Sequence, residues 1–183
     1  MVSVEGFGEK QLLQCVASLE KASEHSLAAA ILAGAREKNV VLIEVGGFQS
    51  ITGKGVSGTL QGKLTGIGNA ALMQDLGANP EPLKVRAEDL QKEGQTVMFI
   101  AVGGRFAGLI AVADPIKESA AEAIKELKQA AITVMMVTGD NHTTAAAVAQ
   151  RLGINFEPNV LPQSREEAQV PRGNRRGGRR RGE

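Results

Sequence analysis

The chain has 183 residues, 43% of them hydrophobic and 22% charged, with a formal net charge of +1. That composition is typical of a globular protein with one ordinary core or two small ones. No apolar run approaches the roughly 18 residues of a membrane-spanning helix, no signal peptide is visible, and the single Cys15 excludes an internal disulfide, so we expect no membrane span and a reducing compartment.

The first 112 residues predict helices packed on an antiparallel sheet. An apolar stripe at helical spacing predicts a helix over residues 9–22, with Cys15 as a core thiol. An Ala-rich helix is expected at about 26–38, and the apolar run 40–45 predicts a strand. The elements that follow are short strands near 56–60 and 63–67, helices near 69–76 and 82–93, and a hairpin of Thr96–Val102 with Arg105–Val112.

The pattern changes after Asp114-Pro115. A charged helix is predicted at about 117–130, then a short apolar strand, Ile132–Val137, a turn, and an Ala-rich helix at 142–152. Helix, buried strand, turn and helix are typical of a parallel doubly wound sheet. Because one strand and two helices cannot close a core, we interpret this segment as an incomplete piece of such a fold.

The end of the chain, from about residue 163, has almost no apolar residues and is predicted to be disordered. Residues 172–183 hold six arginines and one glutamate, so the tail is strongly basic and the rest of the chain is mildly acidic. Arginines alone bind nucleic acid without sequence preference. No aromatic residues are interleaved with them for base stacking, so no specific nucleic acid partner is expected.

Residues 53–58 match the pattern G-x-G-x-x-G. A dinucleotide fingerprint must open a helix, whereas residues 59–64 alternate like a hairpin, so we reject that interpretation. Neither a G-x-x-x-x-G-K-[ST] phosphate loop nor a kinase His-Arg-Asp loop occurs in the sequence. The glycines therefore either only make turns or let a nucleotide lie against bare backbone.

Two further positions suit a nucleotide. The sequence has no Trp or Tyr, so His25 and the five Phe are the candidates to stack on a base, although a lone His between helices is usually only solvated. Thr138-Gly139-Asp140-Asn141 ends an apolar strand, where doubly wound folds place their chemistry. The Thr138 hydroxyl and the amides of that turn suit a phosphoryl group.

Four motifs stand in order along the chain: Ser-Glu-His-Ser-Leu at 23–27, Gly53-Lys54-Gly55, Gly66-Ile67-Gly68-Asn69, and the turn at Thr138. Together they resemble the cytosolic ATP-binding portion of the heavy-metal-transporting P-type ATPases, and they are most like those of the bacterial copper pumps. The resemblance covers roughly residues 1–162. In that family a proline usually stands where this chain has Ser26.

The resemblance implies roles for individual residues. His25 would contact the adenine, and Glu20 would lie near its amino group, the alternative for Glu20 being a solvent-facing helix carboxylate. The other positions expected to bind the nucleotide are Gly53, Gly55, Val56, Gly68, Asn69 and, in the hinge between the two parts, Asp114. Asn69 could equally be a plain helix N-cap.

The resemblance also implies catalytic residues and ligands. Thr138 would bind the transferred phosphoryl group, and Asp140 would contact the nucleotide region. ATP with Mg²⁺ is the expected cofactor, and no resident metal site is expected. The family's Asp-Lys-Thr-Gly-Thr and Gly-Asp-Gly-x-Asn-Asp strings do not occur in this sequence. We therefore expect the chain to bind ATP but not to form an aspartyl phosphate or to pump by itself.

The fold class implied is α/β (α+β), in three parts: a nucleotide-binding domain at 1–112 with an antiparallel sheet and flanking helices, a partial phosphorylation domain at 113–162 forming an incomplete haloacid-dehalogenase-like parallel piece, and a disordered Arg/Gly-rich tail at 163–183. The expected partners are the remaining domains of a parent ATPase, with this chain on its cytosolic face. Two alternatives stay open, a noncatalytic nucleotide-binding remnant or regulator and a basic-tailed nucleic-acid binder.

Overall fold

The computed structural model describes residues 1–23, 27–113, 118–138 and 142–157. Six of the strands form one antiparallel sheet: β1 Val2–Ser3, β2 Gly46–Ile51, β3 Gly55–Leu60, β4 Lys63–Gly68, β5 Thr96–Val102 and β6 Arg105–Val112. Their order across the sheet is β1-β6-β5-β4-β3-β2. Short turns join β2 to β3, β3 to β4 and β5 to β6, so these strands are neighbours in the sheet as well as in the chain.

Four helices accompany this sheet and two belong to the later part of the chain. They are α1 Glu9–Glu20, α2 Ala28–Glu37, α3 Ala70–Asp75, α4 Lys84–Lys92, α5 Glu118–Gln129 and α6 His142–Leu152. A single turn of 3-10 helix, Glu81–Leu83, leads into α4.

A hydrophobic core lies on each face of the sheet, and side chains alternate between the two sides along each strand. Ile100 faces a core built with α1 and α2, and its neighbour Phe99 faces a second core built with α3 and α4. Cys15 lies in the first core, which confirms the predicted core thiol. Burial raises the pKa of the Cys15 thiol above its usual value, against a smaller opposing effect of the Lys63 charge.

The strand predicted at 40–45 is wrong, since β2 begins only at Gly46. Residues 40–45 instead run beside α1, whose side chains bind their backbone. Gln14 Nε2 donates to Val41 O at 2.6 Å, and Ile43 N donates to the Ser18 hydroxyl at 3.0 Å. Because helix side chains satisfy these groups, the segment needs no strand partner there, although its apolar β-branched residues favour a strand.

A small parallel sheet follows in the later part of the chain. The strand predicted at Ile132–Val137 is shortened to β7, Met135–Val137, and it pairs in parallel with β8, Asn155–Glu157. Helix α6 connects them, which makes a βαβ unit. The expectation of a single strand in this segment is therefore wrong, because three residues are too few to give a recognisable strand pattern in the sequence.

Helix α6 packs against the end of α4. Thr144 Oγ1 donates to Gln95 O at 3.1 Å, and the Arg151 guanidinium donates to Glu93 O at 2.6 Å. Both carbonyls lie just beyond the last turn of α4, where no helical amide can donate to them. The later part of the chain is thus joined to the first by side chains that satisfy a helix end.

The other predicted elements agree with the structure to within a few residues, and the hairpin of β5 and β6 has the predicted bounds, whereas β1 was not predicted. An antiparallel sheet with flanking helices, followed by a parallel α/β piece, confirms the predicted fold class. Across the described residues, no helix combines the length and the apolar character needed to cross a bilayer.

Candidate functional site around the glycine loop

Glu20, the last residue of α1, is buried, with only 3% of its surface exposed. This contradicts the alternative of a solvent-facing carboxylate. A charge so far from water needs polar partners, because its desolvation costs several kcal/mol. Glu20 is five residues before His25, the predicted adenine contact, but His25 itself lies outside the described residues.

The glycine loop, residues 52–54, joins β2 to β3. Lys54 N donates to Ile51 O at 2.9 Å and closes the turn. Gly53 has a φ of +72°, in the left-handed region that favours glycine, and a Cβ placed on it would meet no atom within 4 Å. The backbone at Gly53 therefore borders open space on the side where any other residue would carry its side chain.

Gly55 and Gly68 are paired directly across β3 and β4. A Cβ on Gly55 would lie 2.2 Å from Ile67 O, and one on Gly68 would lie 2.1 Å from Lys54 O. Both distances are far below any real contact, so the chain itself fills the space beside these two glycines. They are required for the close approach of two backbone segments, whatever ligand the loop binds.

Asn69 acts as the N-cap of α3 and also ties α3 to the glycine loop. Its Oδ1 accepts from Leu72 N at 3.1 Å, which is the cap. Its Nδ2 donates to Gly53 O at 2.7 Å, and its backbone N donates to Lys54 O at 2.9 Å. Gly53, Gly55, Gly68 and Asn69 thus belong to one cluster of contacts, which we call the glycine cluster.

Val56 differs from the other positions predicted at this loop. Its side chain is buried in the core beside α1, opposite Ile67 in the strand pairing. Only its backbone is therefore near the loop, and the side chain serves packing.

An ion pair beside the glycine cluster was not predicted from the sequence. Lys54 Nζ lies 2.6 Å from Asp75 Oδ2, and both side chains are partly exposed. One feature of the sequence does indicate an exposed charge here. Lys54 stands between two glycines at a hairpin turn, so neither neighbouring residue has a side chain that could cover its ammonium group. The partner could not be found, because 21 residues separate the two.

The residues predicted for phosphoryl transfer lie elsewhere in the chain. Thr138 directly follows β7 and is half-buried, so it stands at the carboxyl end of a parallel strand as predicted. Asp114 and Asp140 lie outside the described residues. The structure therefore gathers four of the predicted positions in the glycine cluster and leaves Glu20 and Thr138 on other elements.

A cavity of about 490 Å³ lies between α1, α2 and the end of β6. Apolar side chains such as Leu13, Ile31 and Ile110 line it, together with Lys10 and Lys38, and none of the predicted site residues that the structure describes does. Its size suits a small molecule, but no motif of the sequence points to it. We therefore place the candidate site at the glycine cluster.

A family model for haloacid dehalogenase-like hydrolases matches residues 3–168. The chain belongs to this family. The chain is 47% identical over 160 residues to a copper-transporting P-type ATPase of Rhizobium leguminosarum bv. viciae, a match that covers 87% of this chain and 19% of the relative. It is 40% identical over 167 residues to the silver exporting P-type ATPase of Salmonella typhimurium, covering 91% of this chain and 20% of the relative.

The chain is also similar to solved structures of metal-transporting P-type ATPases. A zinc-transporting PIB-type ATPase in the E2.Pi state superposes with a TM-score of 0.62 at 27% identity, covering 89% of this chain and 26% of that one. The N-domain of HMA8, a copper-transporting P-type ATPase, has a TM-score of 0.52 at 26% identity, covering 62% of this chain and 97% of that domain.

These similarities confirm the resemblance to the heavy-metal-transporting P-type ATPases that the four motifs indicated. The chain spans about a fifth of the length of the curated relatives that it matches.

Proposed function

We propose that this chain is the ATP-binding cytosolic part of a copper-transporting P-type ATPase. The observation that carries the proposal is the glycine cluster, in which Asn69 holds a loop whose backbone at Gly53 borders open space. The sequence similarity to copper-transporting and silver exporting P-type ATPases is a second line of support for the proposal.

The described residues fit ATP in two respects. Glu20 has a buried carboxylate, which can accept a hydrogen bond from the exocyclic amino group of the adenine. Gly53 offers a backbone that a flat ring or a ribose can approach closely. In the proposed complex His25 stacks on the adenine, and the cluster with the backbone of Val56 lies along the nucleotide. Mg²⁺ accompanies the phosphates.

ATP bound here would supply the phosphoryl group for transfer within a larger protein. Thr138, at the end of β7, would hold that group, Asp140 would contact the nucleotide region, and Asp114 in the hinge would help to bind the nucleotide. The nucleophilic Asp-Lys-Thr-Gly-Thr string does not occur in this sequence, so we expect no phosphorylation of this chain alone. The partners are then the remaining domains of a parent ATPase, and closure of the domains would complete the site.

We also propose the division into a nucleotide-binding domain at 1–112 and a partial phosphorylation domain at 113–162. The N-domain of HMA8, which matches 62% of this chain almost along its own full length, supports this division. The parallel βαβ unit after residue 113 supports it as well, because its topology differs from that of the first sheet.

Replacing His25 with Ala tests the proposed function. Loss of a base-stacking partner should weaken ATP binding by about 1–3 kcal/mol, which is about 5- to 150-fold, as measured by calorimetry. The matched control is His142→Ala, because the second histidine begins α6 and packs edge-on against Phe156 at 5.2 Å between ring centroids.

The control should bind ATP as the unaltered chain does. Equal affinity of the His25→Ala variant and the unaltered chain would remove His25 from the site. A chain that binds no ATP at millimolar concentration would refute the proposed function as a whole.

A further inference from the structure

Lys54 stands at the tip of the glycine loop and is held by a carboxylate from a different element. Its Nζ lies 2.6 Å from Asp75 Oδ2, and 38% of the lysine side chain and 49% of the aspartate side chain are exposed. Asp75 is the last residue of α3. The negative end of the helix dipole repels the Asp75 carboxylate. The positive charge of Lys54 therefore supplies the attraction that stabilises this carboxylate.

The backbone of the loop is fixed while the lysine head is not. Asn69, at the other end of α3, holds Gly53 O and Lys54 O through its side-chain and backbone nitrogens. These bonds leave the loop backbone little freedom. The ammonium, on a flexible four-carbon stem with three donors, can change its partner without any movement of the backbone.

The competing partners differ in strength. An exposed lysine–aspartate pair contributes little net free energy, because water solvates both charges well and the long side chain loses freedom. A triphosphate presents several charged oxygens close together, and hydrogen bonds to such oxygens are among the stronger ones. A nucleotide at this loop therefore competes well for the lysine.

We propose that Lys54 exchanges Asp75 for the phosphates of the bound nucleotide, and that Asp75 thereby lowers the affinity of the site. This inference rests on the proposed function and adds two residues to it. The exchange makes binding depend on the number of phosphates, because adenosine has no group that can take Lys54 from Asp75. The pair therefore acts as a determinant of preference for ATP over adenosine.

Lys54→Gln tests the lysine. The variant keeps a polar chain of similar length and loses the charge, so ATP should bind about tenfold more weakly. Adenosine should bind as it does to the unaltered chain. Both affinities come from calorimetry, with circular dichroism to verify that the fold is retained.

Asp75→Asn tests the competition. The variant releases Lys54, so ATP should bind about two- to fivefold more tightly, and adenosine should be unaffected. In the Lys54→Gln background the same change should have little effect, because no ammonium remains to be released. The matched control is Asp89→Asn, which breaks another surface pair with an equally exposed aspartate, Lys92–Asp89 at 3.2 Å on α4, and should leave ATP affinity unchanged.

The possible results separate this inference from the proposed function. Unchanged ATP affinity in Lys54→Gln, with ATP still binding, overturns the inference and leaves the proposed function standing. An equal gain from Asp75→Asn with and without Lys54 overturns the exchange, since it reports only the removal of a negative charge. If the unaltered chain does not bind ATP, the proposed function and this inference fail together.

Discussion

Gly53 lies in the glycine loop and Gly55 is the first residue of β3, and the structure gives these two nearby glycines different roles. Gly55 is closed in by Ile67 O, at 2.2 Å from where a Cβ would stand, whereas the same position on Gly53 borders open space. Both have positive φ, so both favour glycine. Of the two, only Gly53 leaves the space of the missing side chain open to a ligand.

Alanine substitutions at the two positions should therefore differ in stability. Gly55→Ala forces two backbone segments apart and should lower the free energy of unfolding by about 2–4 kcal/mol. Gly53→Ala brings only the strain of a left-handed residue and should cost about 1 kcal/mol. Urea denaturation of both variants measures this difference.

Equal losses at the two positions would contradict the close approach described at Gly55. The contrast also decides which variant reports on nucleotide binding. Gly55→Ala disturbs the sheet and cannot test the loop alone, so Gly53→Ala is the informative change for ATP affinity.

Some features of single residues could be predicted from the sequence and others could not. The alternative role of Asn69 as a helix N-cap was predicted from the sequence, and the structure confirms it. The burial of Glu20 could not be predicted, because it depends on how the last turns of α1 are covered by the rest of the fold. The ion pair of Lys54 with Asp75 depends in the same way on the docking of α3.

At the level of elements, the sequence predicted those with long, regular patterns. The hairpin of β5 and β6 has seven and eight residues of strand and was placed correctly. Residues 40–45 have the composition of a strand, but Gln14 and Ser18 of α1 bind their backbone instead. Local pattern cannot reveal a partner that lies elsewhere in the chain.

The two sheets should differ in hydrogen exchange. Amides of β5 and β6 lie inside a six-stranded sheet, whereas β7 has three residues and pairs with β8, and Met135 is 37% exposed. Amides in β5 and β6 should therefore exchange more slowly than those of β7 by at least about two orders of magnitude.

Exchange followed by NMR or mass spectrometry measures the two segments in one sample. Equal protection would mean that the small parallel sheet opens only when the whole chain unfolds. It would contradict the view that 113–162 is an incomplete piece of a larger domain.

For the whole molecule, the order of the four motifs carried more information than any one of them. Each motif alone has an ordinary structural explanation, and the structure supports that explanation for Gly55, Gly68 and the cap of Asn69. Their sequence along the chain nevertheless predicted the family correctly. One residue can support the fold and also contact a ligand, so these structural roles do not argue against the proposed binding.

The joint between the two parts of the chain was not predicted at all. Thr144 and Arg151 of α6 donate to the carbonyls that follow α4, and these contacts span 49 and 58 residues of sequence. No short pattern announces them, because their acceptors are backbone groups of a helix end.

The most direct test of the central claim is a map of amide chemical shifts during titration of the full chain with Mg²⁺-ATP. We predict that the shifts concentrate at Glu20, at residues 53–56 and at Gly68-Asn69, and that they saturate at one nucleotide per chain. The amide chemical shifts of residues around the cavity near Leu13 and Ile110 should not change. No shift at the glycine cluster, or shifts confined to that cavity, would contradict the account.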